Sequence, residues 1–374
     1  PLAQAVPADP GAVAALFYTS GTTGTPKGVE LSHRALLGSF ARVAAIDPLV
    51  TGRMEAVIAL PVAHIMGFAS LLGLACAGIP VYLLARFHPV KVLDAIEGRR
   101  AGIFIGVPAM YRMMLEAGAE QRDLSSIRAW GSGADAMPPE LAATFKAMGA
   151  TVSLPVVGPV GQAMFLEGYG MVEIGGGAAA KVSPPFLGLG LGSDSFGFPL
   201  PGYRFRVVDP DTGEELPIGR SGELLLKGPG VTSGYWGDDV ATAAAVTEDG
   251  WLRTGDLARK GPMGTVLFEG RAKDVIKVGG YSVYALEVER VLEQHPDVVE
   301  AAVVPVPDHT RGEVPGAVVR LVPGTALDPD ALEAFAAEHL ADYKVPRHWV
   351  ASDDLPRTGT NKVKRRELRA LFTD

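Results

Sequence analysis

Tyr18-Thr19-Ser20-Gly21-Thr22-Thr23-Gly24-Thr25-Pro26-Lys27-Gly28-Val29 is the stretch on which the reading of this chain turns. It follows the apolar, β-prone run from Ala14 to Thr19, so it lies at the end of an expected strand. Gly21, Gly24 and Gly28 let backbone N–H groups turn toward one point, the geometry of an anion nest. Thr19, Ser20, Thr22, Thr23 and Thr25 add hydroxyl donors, and Lys27 adds a point charge that suits phosphate. The spacing Gly-x4-Gly-Lys-Ser/Thr is absent, which excludes a Walker A loop. A dense cluster of this kind reads as a phosphate cradle at the end of a strand.

Working outward, short β runs alternate with helical stretches through the first two hundred residues. Val57 to Leu60, Val81 to Leu84 and Ile103 to Val107 read as strands, and Pro89 to Glu97, Pro108 to Ala117 and Pro138 to Met148 as helices with proline in the first turn. Strands separated by helices predict a largely parallel sheet covered by helices. After Phe198 the pattern becomes β-rich: Tyr203 to Val208 alternates, Asp211-Thr212-Gly213 turns, and Gly222 to Gly228 is another strand. From Gly270 the pattern is α+β. Tyr284, Val288, Val291 and Leu292 share one helical face with Glu289, Arg290 and Glu293 facing out, Val298 to Val304 is a strand, and Asp328 caps a helix running to about Leu340. The expected fold class is α/β, with an α/β core over 1–197, a β-rich subdomain over 198–272 and a small mobile α+β domain over 273–374.

Composition narrows the function. The net charge of −8 argues against non-specific nucleic-acid binding but allows small anions held by local charge. The one cysteine, Cys76, excludes an intrachain disulfide and a cysteine zinc site. Between Glu55 and Arg86 there is no charged residue apart from His64. Pro61, Gly67, Gly73, Gly78 and Pro80 punctuate that stretch, so it reads as strand, buried helix, turn and strand rather than a membrane span. No basic, apolar leader opens the chain, and the expected compartment is the cytosol.

Five further motifs come after the loop in order. Gly131-Ser132-Gly133-Ala134-Asp135 has glycines that admit a flat base against backbone, though alone it reads as an ordinary strand-to-helix turn. Glu167-Gly168-Tyr169-Gly170-Met171-Val172-Glu173 ends on a carboxylate suited to a hard cation. Trp251-Leu252-Arg253-Thr254-Gly255-Asp256-Leu257 carries an acceptor able to take two hydroxyl donors. Gly270 to Tyr281 contains Arg271, Lys273 and the pair Gly279-Gly280, and Leu355 to Val363 ends on Thr360-Asn361-Lys362-Val363.

With the first loop, this ordered set resembles the AMP-forming acyl-CoA synthetases, which share a fold with peptide-synthetase adenylation domains and firefly luciferase. The resemblance implies that Gly133, Ala134 and Asp135 lie beside the adenine. It implies that Tyr169 stacks on the base, flanked by Gly170 and Met171, and that Glu173 reaches magnesium. Asp256 would accept the ribose hydroxyls, Arg271 would contact ribose and phosphate, Lys273 would be the hinge, and Gly279-Gly280 would line a pantetheine tunnel. Lys362 would stabilise charge as the carboxylate attacks, with Thr23 and Glu173 as the other catalytic residues. His64, Met66 and Gly67 match positions beside the acyl pocket, and Val107 and the segment from Val152 to Phe165 are further lining candidates. Lys364, Arg365, Arg366 and Arg369 read better as a solvated basic face than as a CoA site.

The implied reaction is ATP-dependent activation of a small-molecule carboxylic acid to acyl-AMP, then transfer to the CoA thiol, with ATP, magnesium and CoA as cofactors. Without a positive charge between Val152 and Gly170, a fatty or other apolar acyl chain is favoured over a dicarboxylate. Two alternatives stay open: an acyl-AMP ligase that loads a carrier-protein thiol, and a nucleotide-binding homologue without turnover. The second is motivated by Val172 in place of Thr and Asn361 in place of Gly. The resemblance also implies a longer region ahead of the loop, which leaves three readings open: a missing N-terminal segment, a second chain, or a naturally short member.

Overall fold

The computed structural model describes residues 7–19, 26–38, 54–184, 195–358 and 363–372. Its largest sheet runs Phe198–Pro199, Gly176–Ser183, Met164–Met171, Ala129–Gly133, Ile103–Gly106, Ala56–Ile58, Val81–Leu83. From Val81–Leu83 to Met164–Met171 every pairing is parallel, and the remaining two are antiparallel. Helices Pro89–Arg99, Pro108–Glu116 and Pro139–Met148 make crossovers, each with proline in its first turn, where a missing N–H costs nothing.

The strand pleat divides the core into two faces. Val57 and Phe104 point into one cluster, with Leu93, Ile96, Tyr111, Trp130 and Phe145. Ala56, Ile58, Ile103 and Ile105 point into the other, with Leu74 and Met110. Helix Ile65–Cys76 lies on that second face. The stretch around Pro61 to Pro80 thus folds as expected, and among the described residues no helix is long and apolar enough to cross a membrane. Ala56–Ile58 is flanked by Val81–Leu83 on one side and Ile103–Gly106 on the other, so the direction of winding reverses beside it. In such sheets ligands bind beyond the carboxyl ends of the strands at that reversal.

Arg204–Val208, Ser221–Lys227, Leu252–Lys260 and Val266–Arg271 form an antiparallel sheet, and Val13–Thr19, Lys27–Ser32 and Gly234–Tyr235 form another. The last sheet joins Tyr281–Tyr284, Val275–Val278, Gly312–Leu321 and Val298–Asp308, with His348–Ala351 added in parallel to Gly312–Leu321. Helices Ala285–Leu292 and Pro329–His339 pack on it, and Asp328 caps the second through the Ala331 N–H at 3.0 Å.

Four expectations need correction. Glu293, expected to face out, is instead half-buried against Arg112 at 3.0 Å. Glu289 faces inward: it is buried, accepts the Val303 N–H at 2.6 Å and pairs bidentately with Arg365. Arg365 is therefore no solvated cation, and it also donates to the Val303 carbonyl at 2.9 Å. The segment from Val152 is a hairpin, Val152–Leu154 with Gly158–Val160, whose valines are exposed, while Phe165 lies in the core beneath. It is not part of the lining of the cavity at the reversal of the parallel sheet.

One charged cluster joins the last sheet to the first. Arg112, on Pro108–Glu116, contacts Glu293 and Glu300, both at 3.0 Å. Arg357 Nη2 donates to both oxygens of Glu300, at 2.8 and 2.6 Å, and Arg320 reaches Glu116 at 2.8 Å. Burial raises the Glu293 carboxyl to about 7, against the pull of Arg112.

Candidate functional site

The strand Met164–Met171 runs into a one-turn 3-10 segment, Val172–Ile174, which places Tyr169 and Glu173 on one continuous element. Gly133 pairs with Gly168, so the end of Ala129–Gly133 lies beside Tyr169. The next residue, Ala134, has φ +69°, a left-handed conformation that costs a residue with a Cβ free energy. A Cβ on Gly133 would lie 3.1 Å from the Gly168 carbonyl and 3.3 Å from Met66 Cε. Asp135 turns back on its own loop, accepting the Ala136 N–H at 2.9 Å. Gly170 is sterically required: a Cβ there would lie 1.8 Å from the Gly176 carbonyl oxygen.

Tyr169 donates its hydroxyl to Asp256 Oδ2 at 2.6 Å. Asp256 is only 2% exposed. Its strand pairs it in register with Arg271, whose Nε lies 3.2 Å from Oδ1. Burial first, and the Asp256 charge second, push the Tyr169 phenol well above its ordinary range, so it stays a donor. One face of the Tyr169 ring is stacked by Phe196, with centroids 3.7 Å apart. Thr254 sets the turn ahead of the carboxylate, its hydroxyl donating to the Leu224 carbonyl at 2.7 Å and accepting the Asp256 N–H at 3.0 Å.

A second group lies at the other end of the element. Glu173 Oε1 accepts the Tyr235 hydroxyl at 3.1 Å. Lys27 Nζ stands 5.2 Å from the centroid of the Tyr235 ring and 3.8 Å from Asp238. Thr19 and Lys27 are paired across the first hairpin, so the residues on either side of the expected phosphate cradle lie on adjacent strands. Ser20, Gly21, Thr22, Thr23, Gly24 and Lys362 lie outside the described residues.

His64, Met66 and Gly67 line one cavity with Leu60, Pro61, Val107, Met110 and Ala134, at the reversal of the parallel sheet. It is narrow, with about 10 Å3 of space, room for roughly one water. His64 caps helix Ile65–Cys76, its Nδ1 accepting the Met66 N–H at 3.2 Å. Gly67 admits the Pro61 carbonyl, which a Cβ would meet at 2.3 Å.

The remaining predicted residues lie apart from these groups. Lys273 is exposed in the turn Ala272–Asp274, between Val266–Arg271 and the last sheet. Gly279 and Gly280, at φ +53° and +90°, are the two-residue turn joining Val275–Val278 to Tyr281–Tyr284, with open space around both. Sequence reading missed Tyr235, Phe196 and Arg112. Gly234-Tyr235-Trp236-Gly237-Asp238, a turn-rich aromatic run ending on a helix-capping Asp, was the available signal for the first.

The chain matches the AMP-binding enzyme family over residues 1–236 and the AMP-binding enzyme C-terminal domain over residues 287–362. It is 33% identical to 4-coumarate–CoA ligase-like 9 of Arabidopsis thaliana, covering 96% of this chain and 62% of that protein. It is 35% identical to the long-chain-fatty-acid–CoA ligase of Bacillus subtilis, covering 95% of this chain and 61% of that one. The crystal structure of ATP-bound MatB from Rhodopseudomonas palustris superposes with a TM-score of 0.85 at 32% identity, over 99% of this chain and 70% of that one. The chain spans about three fifths of the length of the two curated relatives. With both parts of the family matched in order on an α/β sheet of this topology, the chain belongs to the AMP-binding enzymes, the adenylate-forming superfamily.

Proposed function

We propose that this chain binds ATP and activates a carboxylic acid as acyl-AMP, with the CoA thiol as acceptor of the acyl group. The observation that carries the reading is the buried Asp256 carboxylate, held by the Tyr169 hydroxyl on one oxygen and facing Arg271 on the other. A fixed, desolvated acceptor beside a guanidinium suits a ribose carrying a phosphate. The glycine-lined turn Gly133-Ala134-Asp135 takes the base on the Tyr169 side, and Lys27 with the hydroxyls from Thr19 to Thr25 takes the phosphates.

Magnesium fits the donors present. Among the described residues no group of three or more acidic, histidine or cysteine side chains could hold a metal alone. Magnesium is commonly held by one or two carboxylates together with substrate phosphates. Glu173, joined through Tyr235 to the strand that begins at Lys27, is such a carboxylate. When bound, magnesium would neutralise charge on the phosphates. The chain's own part is to orient: Asp256 and Arg271 fix the sugar, Glu173 faces the phosphates, and Lys362 and Thr23 stabilise the charge that develops as the carboxylate attacks. Lys273 is the pivot about which a small domain over 273–374 turns, bringing Gly279-Gly280 to the thiol arm.

The lining of the cavity, rather than its present volume, favours an apolar acyl group. Apart from His64 its lining is apolar, and Met66 and Met110 are unbranched side chains that yield to an entering chain.

Pyrophosphate release, measured with aliphatic, aromatic and dicarboxylic acids, tests this reading. The expected result is release with an apolar acid, then thioester formation when CoA is added. Thioester formation on a carrier protein but not on CoA would replace the acceptor. ATP binding without release for any acid would leave a nucleotide-binding protein.

A further inference from the structure

We infer that Tyr235 is a positioning residue that ties the phosphate-side cation Lys27 to the metal-side carboxylate Glu173, through its ring face and its hydroxyl respectively. The inference rests on the proposed reading of Glu173 and Lys27 and adds a residue to it. Two independent contacts support it. The hydroxyl donates to Glu173 Oε1 at 3.1 Å, and the ammonium of Lys27 stands 5.2 Å from the ring centroid, within range of a cation–π attraction. A carboxylate with one oxygen already engaged has fewer rotamers open to it and presents the other oxygen in a fixed direction.

Tyr235 is itself held by backbone. It pairs with Val29 on the strand that begins at Lys27, so ring and ammonium are placed by neighbouring strands. Its N–H donates to the Thr242 hydroxyl at 2.9 Å, and that hydroxyl donates to the Asp238 carbonyl at 2.9 Å. Gly234, at φ +151°, brings the chain against Thr242, where a Cβ would meet the side chain at 2.8 Å. Asp238 caps helix Asp239–Ala245 through the Ala241 N–H at 2.8 Å and also faces Lys27. The segment thus has the rigidity that positioning demands.

Calorimetric ATP binding, with magnesium and in EDTA, tests the inference on Tyr235→Phe and Tyr235→Leu. Phenylalanine keeps the ring under Lys27 and removes only the hydroxyl. The magnesium concentration that half-saturates the gain in ATP affinity should rise about tenfold in Tyr235→Phe, with affinity in EDTA unchanged. In Tyr235→Leu the affinity in EDTA should fall as well, because Lys27 loses its rest. The magnesium dependence of pyrophosphate release should shift in parallel, with the KM for the acid unmoved. An unshifted magnesium dependence in Tyr235→Phe overturns the inference while leaving the ATP reading intact. So does an equal loss of affinity with and without magnesium together with a lowered unfolding temperature, which is the mark of a structural role. If the wild-type chain binds no ATP, both readings fall.

Discussion

Asp256 is a buried carboxylate whose two oxygens face a phenol and a guanidinium, so what it does for a ligand depends on neighbours far away in sequence. On the proposed reading, Asp256→Ala removes a charged acceptor for sugar hydroxyls. It should weaken ATP binding by on the order of 2–3 kcal/mol in calorimetry. Val172 stands where the motif would place a Thr that donates to phosphate. The valine packs instead among Val29, Leu31, Ala35, Leu36 and Ile65 at 9% exposure. Val172→Thr should therefore bury a hydroxyl and lower stability by about 1–3 kcal/mol in urea unfolding. The motif alone carries no sign of this, because the apolar cluster that closes over the position comes from other elements.

At the scale of elements, the site depends on close approach of backbones. Gly170→Ala should push Met164–Met171 away from Gly176–Ser183, since a Cβ at 1.8 Å from the Gly176 oxygen cannot be absorbed by a side-chain rotation. The expected outcome is a loss of stability above about 3 kcal/mol by denaturant titration, with the Tyr169 hydroxyl drawn away from Asp256. The same scale shows how much is legible in the sequence. Prolines at helix starts and short β runs between them are enough to read the parallel sheet, and each helix begins within one residue of its expected proline. His64, Met66 and Gly67, expected beside an acyl pocket, share one cavity of about 10 Å3. The hairpin from Val152 is not legible, because apolar composition is the same for a lining segment and an exposed one. Glu289 and Arg365 read as solvated because each one's partner lies 76 residues away in sequence.

For the whole molecule, the proposed pivot makes a separable prediction. Proline at 273 fixes φ and disfavours the helical conformation of Ala272 before it. Lys273→Pro should leave pyrophosphate release largely in place while thioester formation drops about tenfold or more, measured as separate half-reactions. Equal rates for both would move the pivot elsewhere. The last sheet does not lie loose on the first in this structure. Arg112 bridges Glu293 and Glu300, and Glu116 answers Arg320.

That bridge has a bearing on apparent affinity. Arg112 meets both carboxylates at 3.0 Å in the orientation seen here, so if the last sheet turns about the proposed pivot, the pairing weights the population of this orientation against the turned one. A ligand that needs a different orientation binds only the fraction of molecules already there, and its measured dissociation constant rises by the inverse of that fraction. If the alternative is populated at about one per cent, the measured constant is about a hundredfold weaker than the intrinsic one. On the proposed reading, charged side chains away from the phosphate-side groups would thereby set the threshold concentration at which a second substrate registers at all.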